Sequence, residues 1–498
     1  MGRTLMFSQP PPVGGLNTRD DIGTMASNDA AVLENWFPET TAVVVRGGCR
    51  HHASVSAATN FEALAEFATP AQDAIVVGSG GTLAIYDTVT NAVYASGFTR
   101  NDWQAVNFNE TMELVNGFDY PQHVAYNGSY TITPSTVSGP SNVRNLVDAH
   151  VFKTRVFYVE RDSADFWYTE TNAIAGTLTK FPLSRVARRG GHLLTIKSWS
   201  VDGGDGPDDY AVFFMSTGEV IVYQGTDPGR SGSWGLVGRY QIPELIDRRC
   251  VHEHAGKIFC VTVNDLVILP DAFTQATPPP SKLTGAISAD WAKYKNLRGW
   301  QFVVHPRGGK AFINVPTGAL TSHQYVINLQ TGSPTKYTGW NTFGFGQWNN
   351  SLYFNPYGTA GLVEADSGIG DELATGVISS ITARAQCAPS NLGQQQYKKL
   401  VDYRLRLVSE GTVTLSSGLA YDYKTPDFYF SDSQTTAGTA WGSPWGSSWS
   451  GEDYTKDVWL GASGNGVSVQ LRMELVANRQ DCRWLKTDYR FEVTKQVA

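Results

Sequence analysis

No run of this 498-residue chain approaches the roughly 18 consecutive apolar residues that cross a membrane as a helix. The opening Met1-Gly2-Arg3-Thr4-Leu5-Met6 has no apolar core for a secretory signal and no Ser or Thr at position six for a myristoyl group. Synthesis in a cytoplasm, without membrane insertion, is therefore expected. Charge is scarce at 17% of residues and leans acidic, 39 basic against 46 acidic side chains, a formal −7. A protein that grips phosphates normally leans basic, so any nucleic acid it meets is expected to pass without being held. The five cysteines (Cys49, Cys250, Cys260, Cys387, Cys482) never form a Cys-x-x-Cys pair, which argues against a disulfide framework and a structural zinc. Helical periodicity is almost as rare. Only Tyr240–Arg248 and Asp290–Lys295 could hold helical turns within the repetitive part of the chain.

What is abundant is glycine, 50 residues, and aromatics, 12%. Short apolar or alternating runs recur between turn signals from Phe61 onward, among them Ala74–Val77, Leu83–Tyr86, Met112–Val115, His150–Tyr158, Tyr210–Met215, Lys257–Val263, Lys310–Val315 and Ser351–Phe354. Their length and their β-branched and aromatic content read as strands. At roughly 40–50 residues per blade, 49–368 accommodates six or seven blades of a β-propeller. Asp202–Cys250 is the most explicit repeat: an acidic turn, a buried strand, a Thr217-Gly218 hairpin, a second strand and a Gly225-Thr226-Asp227-Pro228 turn. Glycines and acids near Asp366–Ala374 read as a linker. Beyond it Tyr403, Leu405 and Leu407, then Val467 to Leu475, then Tyr489, Phe491 and Val493 alternate cleanly with polar residues. Residues 369–498 are thus expected to form an antiparallel β-barrel or sandwich.

Ahead of these lies 1–48. Pro10-Pro11-Pro12-Val13-Gly14-Gly15 predicts an extended arm, since proline can neither continue a helix nor donate to a ladder. Ser27 or Asn28 could cap a short helix over Asp29–Trp36, stopped by Pro38, and Ala42–Val45 reads as a first strand closed by Gly47-Gly48.

Gly14-Gly15-Leu16-Asn17-Thr18-Arg19, then Glu34-Asn35-Trp36-Phe37-Pro38, then Val45-Arg46-Gly47-Gly48 resembles the N-terminal signature of the nozzle or hub proteins of short-tailed bacteriophages, also called tail tubular protein B or packaged-DNA stabilisation proteins. The motif order of Asp202–Cys250 resembles the blade core of the same family. The resemblance implies an all-β fold: a propeller, six-bladed, with an N-terminal arm and a C-terminal platform domain. It implies a structural, non-enzymatic virion protein in a six-fold ring below the portal and adaptor. Tail fibres or tailspikes would attach, and double-stranded DNA would be retained and later released through the ring without sequence-specific binding. The molecule would be made in the host bacterial cytoplasm and end in the virion tail, with no cofactor.

Chemistry-bearing clusters are few. His252-Glu253-His254 could place two imidazoles on one strand face, but a third zinc ligand at suitable spacing is missing. His51-His52 beside Cys49 is weaker still. Asp202, Asp205, Asp208 and Asp209 lack EF-hand spacing and read as a solvated acidic turn that could face a channel. Trp441, Trp445 and Trp449 lie four apart among Gly, Ser and Pro; they could stack on sugars or bases, and are read as loop packing at a subunit interface. With Gly14 to Arg19 they are the candidate subunit and adaptor docking residues, expected to order only against a neighbour. Arg185, Arg188 and Arg189 form the one dense basic cluster, read as a solvated turn or a docking surface for an acidic partner. The alternative from another class is a carbohydrate-binding or glycan-degrading propeller using the tryptophans and a carboxylate pair.

Overall fold

A computed structural model describes residues 4–56, 59–202, 207–269, 283–409, 413–423, 431–432, 454–456, 459–477 and 479–493. The fold is all-β, a propeller joined to a two-sheet sandwich. Blades one to four are consecutive four-stranded meanders: Ala63–Ser96, Gln104–Pro134, Leu146–Phe181 and Leu193–Gln241. Blade five has three strands among the described residues, Val251–His254, Lys257–Val261 and Leu266–Leu269. The blade built from Phe345–Trp348, Ser351–Phe354 and Gly361–Ala365 takes its fourth strand, Cys49–Ser54, from the N-terminal side. The first five are separate sheets, and that of the last blade runs on past Cys49–Ser54 to the hairpin Asp371–Ser379. Between blade five and this last blade, Gln301–Tyr337 fills a seventh position in the ring, and its sheet continues into the second domain. The length estimate of six or seven left that shared sheet undecided, because nothing local in a sequence separates a blade from a sheet that runs onward.

Burial explains why the blade strands read as unbroken apolar runs. Ala211, Phe213 and Met215, with Ile196 of the same blade, face Phe157 and Phe166 of blade three, whereas Val212 and Phe214 face Val251, Ile258 and Cys260 of blade five. Both faces of a blade are covered by neighbours, so no polar face remains. The ring closes where Trp348, Tyr353 and Leu362 pack against Phe61, Ile75 and Val77 of blade one. Gly218 turns the blade-four hairpin at φ 76°, and a Cβ there would meet the Ile242 carbonyl at 2.2 Å. Helix α1, Ser288–Tyr294, falls where Asp290–Lys295 was expected to hold helical turns; Tyr240–Arg248 does not, since Tyr240 and Gln241 end the strand Trp234–Gln241 and only Arg248–Cys250 makes a single 3₁₀ turn.

In the sandwich, Ile381–Cys387, Val413–Tyr421 and Val469–Ala477 form one sheet, and Lys398–Ser409 and Cys482–Val493 the core of the other. Here one face only is buried: Tyr403, Leu405 and Leu407 meet Leu471, Met473 and Leu475. Clean alternation follows.

The N-terminal region is where expectation and structure part. Asp29–Trp36 is not a helix. Asp29–Glu34 is a strand and Trp36–Pro38 another, with Asn35 at φ 57° between them. The first pairs antiparallel with Ile381–Cys387 and, at Glu34, parallel with Pro334–Tyr337. Helix-forming residues in so short a segment cannot outweigh backbone pairing on two edges plus full burial of Ala30, Leu33 and Trp36. The arm is likewise ordered by its own chain. Thr4–Gln9 is a strand antiparallel to Cys482–Val493, and Pro11, Pro12 and Leu16 are buried.

One consequence is testable by pH. Asp488 is fully buried under this strand and accepts from Ser8 Oγ (2.5 Å), Arg404 Nη2 (2.8 Å) and Arg406 Nε (3.1 Å). Burial opposes ionisation, but these hydrogen bonds outweigh it and hold the carboxyl at about 2. The folded pKa lies below the unfolded one, so its stabilisation is complete above pH 4 and is lost as pH falls from about 4 to 2. The shift corresponds to about 2 kcal/mol. Asp488→Asn should flatten acid unfolding in that window; an unchanged pH profile would remove Asp488 as its source.

Candidate functional site

Polar side chains gather at the seam between the domains and in the channel of the propeller. At the seam the Asn35 amide is saturated. Nδ2 donates to the Thr382 carbonyl (2.8 Å) and to Thr338 Oγ1 (3.0 Å), and Oδ1 accepts from Thr338 N–H and Arg46 Nε, both 2.9 Å. Arg46 is buried, and all five of its N–H groups are used. Beyond Asn35, they go to the Gly47 carbonyl (3.0 Å), the Thr338 carbonyl (3.1 Å) and both oxygens of Asp371 (2.8 and 2.6 Å). Its guanidinium lies 4.5 Å from the Trp340 ring centroid. Asp371 Oδ1 also receives Trp340 Nε1–H (3.0 Å) and the Cys49 thiol (3.6 Å). Burial, and then the neighbouring carboxylate, push the Cys49 thiol far up, so it stays protonated and donates. Gly48 is required by approach: a Cβ there would lie 2.0 Å from the Gly370 carbonyl. The seam therefore ties the N-terminal segment, the last two ring positions and the hairpin Asp371–Ser379 together. Chemically it is a closed hydrogen-bond network.

The channel is a cavity of about 400 Å³ ringed by the first strand of each blade. Side chains stitch neighbouring strands across it. Gln301 exchanges two bonds with the Phe345 backbone (2.8 and 2.7 Å), Gln347 donates to the Val304 carbonyl (2.8 Å), and Asn107 donates to the Glu66 carbonyl (2.7 Å). At the end where these strands begin, Arg248 reaches the Val147 carbonyl (2.7 Å) and Arg249 the Gly299 carbonyl (3.0 Å). Glu62, Glu66, Asp148 and Lys197 also line the cavity. The wall thus mixes both signs. Burial raises the Glu66 carboxyl.

His252 of the predicted His-Glu-His run lines this channel, its imidazole lowered to about 4 by burial and then by Lys197. It is neutral at ordinary pH. Glu253 instead accepts from Ser198 N–H (2.7 Å), and His254 is exposed at the strand end. Among the described residues no group of three or more His, Cys, Asp or Glu side chains is gathered as metal ligands. All five cysteines are buried and none is in a disulfide, and no helix of the described residues is long and apolar enough to cross a membrane.

The candidate docking residues Gly14 to Arg19 are brought together, but by their own chain. Gly15, at φ 92°, sits against Pro334, Leu16 is in the core, and Asn17 donates to Asp20 (2.9 Å) and Asp29 (2.8 Å). Thr18 and Arg19 backbone N–H groups share the Ala286 carbonyl. Only the Arg19 side chain projects, beside Asp20. The expectation that this stretch orders only against a neighbour is corrected; what distinguishes a docked proline-rich arm from a loose one is the far partner, which local sequence cannot show. Trp441, Trp445 and Trp449 lie outside the described residues. Of the acidic turn, Asp205 lies outside them and Asp202 and Asp208 are described only as backbone, paired with Pro207 and Val201. Asp209 accepts from Ser200 Oγ (2.6 Å) and does not line the propeller channel. Arg185, Arg188 and Arg189 are exposed on the opposite face, where Glu219 fixes the backbone N–H groups of the last two at 3.0–3.2 Å. Asp371 and the seam role of Arg46 were missed. No local signal marks a partner more than 300 residues away.

No family model and no curated protein matches the chain. Solved structures do. A chain of the crystal structure of BBS1N in complex with ARL6DN shares 10% identity over 64% of this chain and 96% of its own, with a TM-score of 0.39. The WD40 β-propeller domain of Doa1 shares 9% over 64% and 96%, TM-score 0.40. The computationally designed Ika8 protein shares 8% over 63% and 98%, TM-score 0.36.

Proposed function

We propose that this chain is a structural component of a short-tailed phage tail, the nozzle or hub. Six copies would form a ring below the portal and adaptor, retain the packaged genome and pass it on ejection. The observation that carries this reading is that the three N-terminal segments bearing the family resemblance are largely buried and join parts of the fold far apart in the chain. Asn35, Arg46 and Gly48 weld propeller to platform, and Gly15 and Leu16 anchor the arm. A motif held for scaffold reasons suits a protein whose work is mechanical. On this reading the ring's bore is acidic or neutral, tail fibres or tailspikes attach outside, and no reaction is catalysed.

The experiment is native mass spectrometry of the purified chain with its adaptor, alongside incubation with glycans and peptidoglycan. A six-copy ring without turnover is expected. A persistent monomer that cleaves a glycan, losing activity on a single carboxylate change, would overturn the reading in favour of the carbohydrate-active alternative. Within the ring, Asp209→Lys is expected to slow DNA ejection, most strongly at low salt, where a cationic wall holds the duplex by counterion release. An ejection rate indifferent to this change and to salt would remove the acidic turn from the bore.

A further inference from the structure

The face of the propeller opposite the acidic turn carries an arginine and aromatic rim. The turn Asn116–Pro121 exposes Phe118 and Tyr120, 41% and 52% accessible. Phe118 is sandwiched: the Arg100 guanidinium lies 4.6 Å from its centroid and that of Arg161 4.7 Å, while Arg144 lies 4.2 Å over Tyr120. The arrangement is held from beneath. Asp119 accepts from the Thr99 (2.9 Å) and Arg100 (3.0 Å) N–H groups, and Asn116 donates to the Arg100 carbonyl (3.2 Å). Arg161 donates to the Gly117 carbonyl (2.8 Å) and Asn145 Oδ1 (3.0 Å). Further along, Asp165, in the turn that follows Arg161, takes the Ser184 N–H (2.9 Å) and Lys180 (3.0 Å), joining that turn to the loop of Arg185, Arg188 and Arg189.

Stacking on a ring orients a guanidinium while leaving its N–H edge for a planar acceptor. The guanidiniums of Arg100, Arg144, Arg185, Arg188 and Arg189 form no hydrogen bond or ion pair to a described residue. Of the carboxylates nearby, Asp119 and Asp165 are engaged by the loops, and Asp162 lies exposed 3.9 Å from Arg161. Two uncommitted guanidiniums stacked on exposed rings, with three more on the loop of Arg185, Arg188 and Arg189, are conspicuous on a chain of net charge −7.

We propose that this rim docks an acidic protein segment, placing Asp or Glu carboxylates on the arginine edges and an apolar side chain on Phe118 and Tyr120. A discrete set of carboxylates suits the site better than a nucleic acid does. Asp102, Asp119, Asp162 and Asp165 lie among the arginines and would face a continuous polyanion, which bears a charge about every 1.7 Å of duplex axis. The inference goes beyond the tail reading and holds whether or not the chain forms a ring.

The test is fluorescence anisotropy with the full chain and three labelled probes: a short Asp/Glu peptide containing one leucine, its Asn/Gln counterpart, and an oligothymidylate of equal charge. The acidic peptide alone should bind, more weakly as salt rises. Arg100→Gln with Arg144→Gln should weaken it about tenfold, and Arg100→Lys with Arg144→Lys nearly as much, since lysine keeps the charge but not the stacked fork. If either pair lowers the unfolding temperature, Arg185→Gln, Arg188→Gln and Arg189→Gln together, whose side chains hold no loop, serve instead and should weaken binding several-fold. No peptide binding, equal binding of the amide peptide, unchanged binding in the variants, or tighter binding of the oligothymidylate would each overturn the proposal, the last in favour of a nucleic-acid surface.

Discussion

Arg46→Ala should lower the free energy of unfolding by about 3–5 kcal/mol, the cost of removing one partner from a buried ion pair. The arginine side chain is 1% exposed and that of Asp371 11%, so solvent cannot replace the lost donors. Asp371 would keep only the Trp340 indole and the Cys49 thiol. The Asn35 Oδ1 and the Thr338 and Gly47 carbonyls would lose a donor at the same time. Because Arg46 reaches three parts of the chain, the loss should appear in both domains, with one shared transition lowered in temperature. Arg46→Met with Asp371→Leu should recover part of the stability, since an apolar pair leaves no orphaned charge. Urea unfolding followed by tryptophan fluorescence measures both. A change below about 1 kcal/mol for Arg46→Ala would mean that the seam is not what holds the domains together.

Deletion of residues 1–19 should be at least as damaging, on the order of 5 kcal/mol, comparable with the whole stability of an ordinary domain. It removes the strand Thr4–Gln9 from six register pairs with Thr487–Glu492, and Leu16 from the core with Leu5 and Phe7 packed against it. Asp488 loses Ser8. The exposed edge of Cys482–Val493 then becomes a template for pairing with other chains, so soluble yield should fall and aggregates appear on size exclusion. Full-length-like melting of a monodisperse deletion product would restore the view of the arm as a free tether awaiting a neighbour.

The sequence by itself determined the all-β class, the propeller and the sandwich. The reason is visible in the strands. Tyr210–Met215 is apolar throughout because its blade is covered on both faces, and Tyr403 to Leu407 alternates because its sheet is covered on one. Turn glycines such as Gly218 are equally local, required by the backbone of the turn itself. The short helix α1 was legible for the same reason, its pattern lying within one segment. Tertiary structure alone decided the fate of 1–48. Asp29–Glu34 has helix-forming residues and becomes a strand because Ile381–Cys387 and Pro334–Tyr337 offer it two edges. Arg46 is a surface-type residue by composition and is buried because Asp371, 325 positions later, meets it. The arginine rim joins Phe118 of blade two and Arg161 of blade three with Arg100 and Arg144 of the connections that precede those blades. Patterns of period two and turn chemistry act over a few residues, so they survive in the string of letters. Pairing between distant segments depends on which edges the closed ring leaves open, and that exists only once the chain has folded.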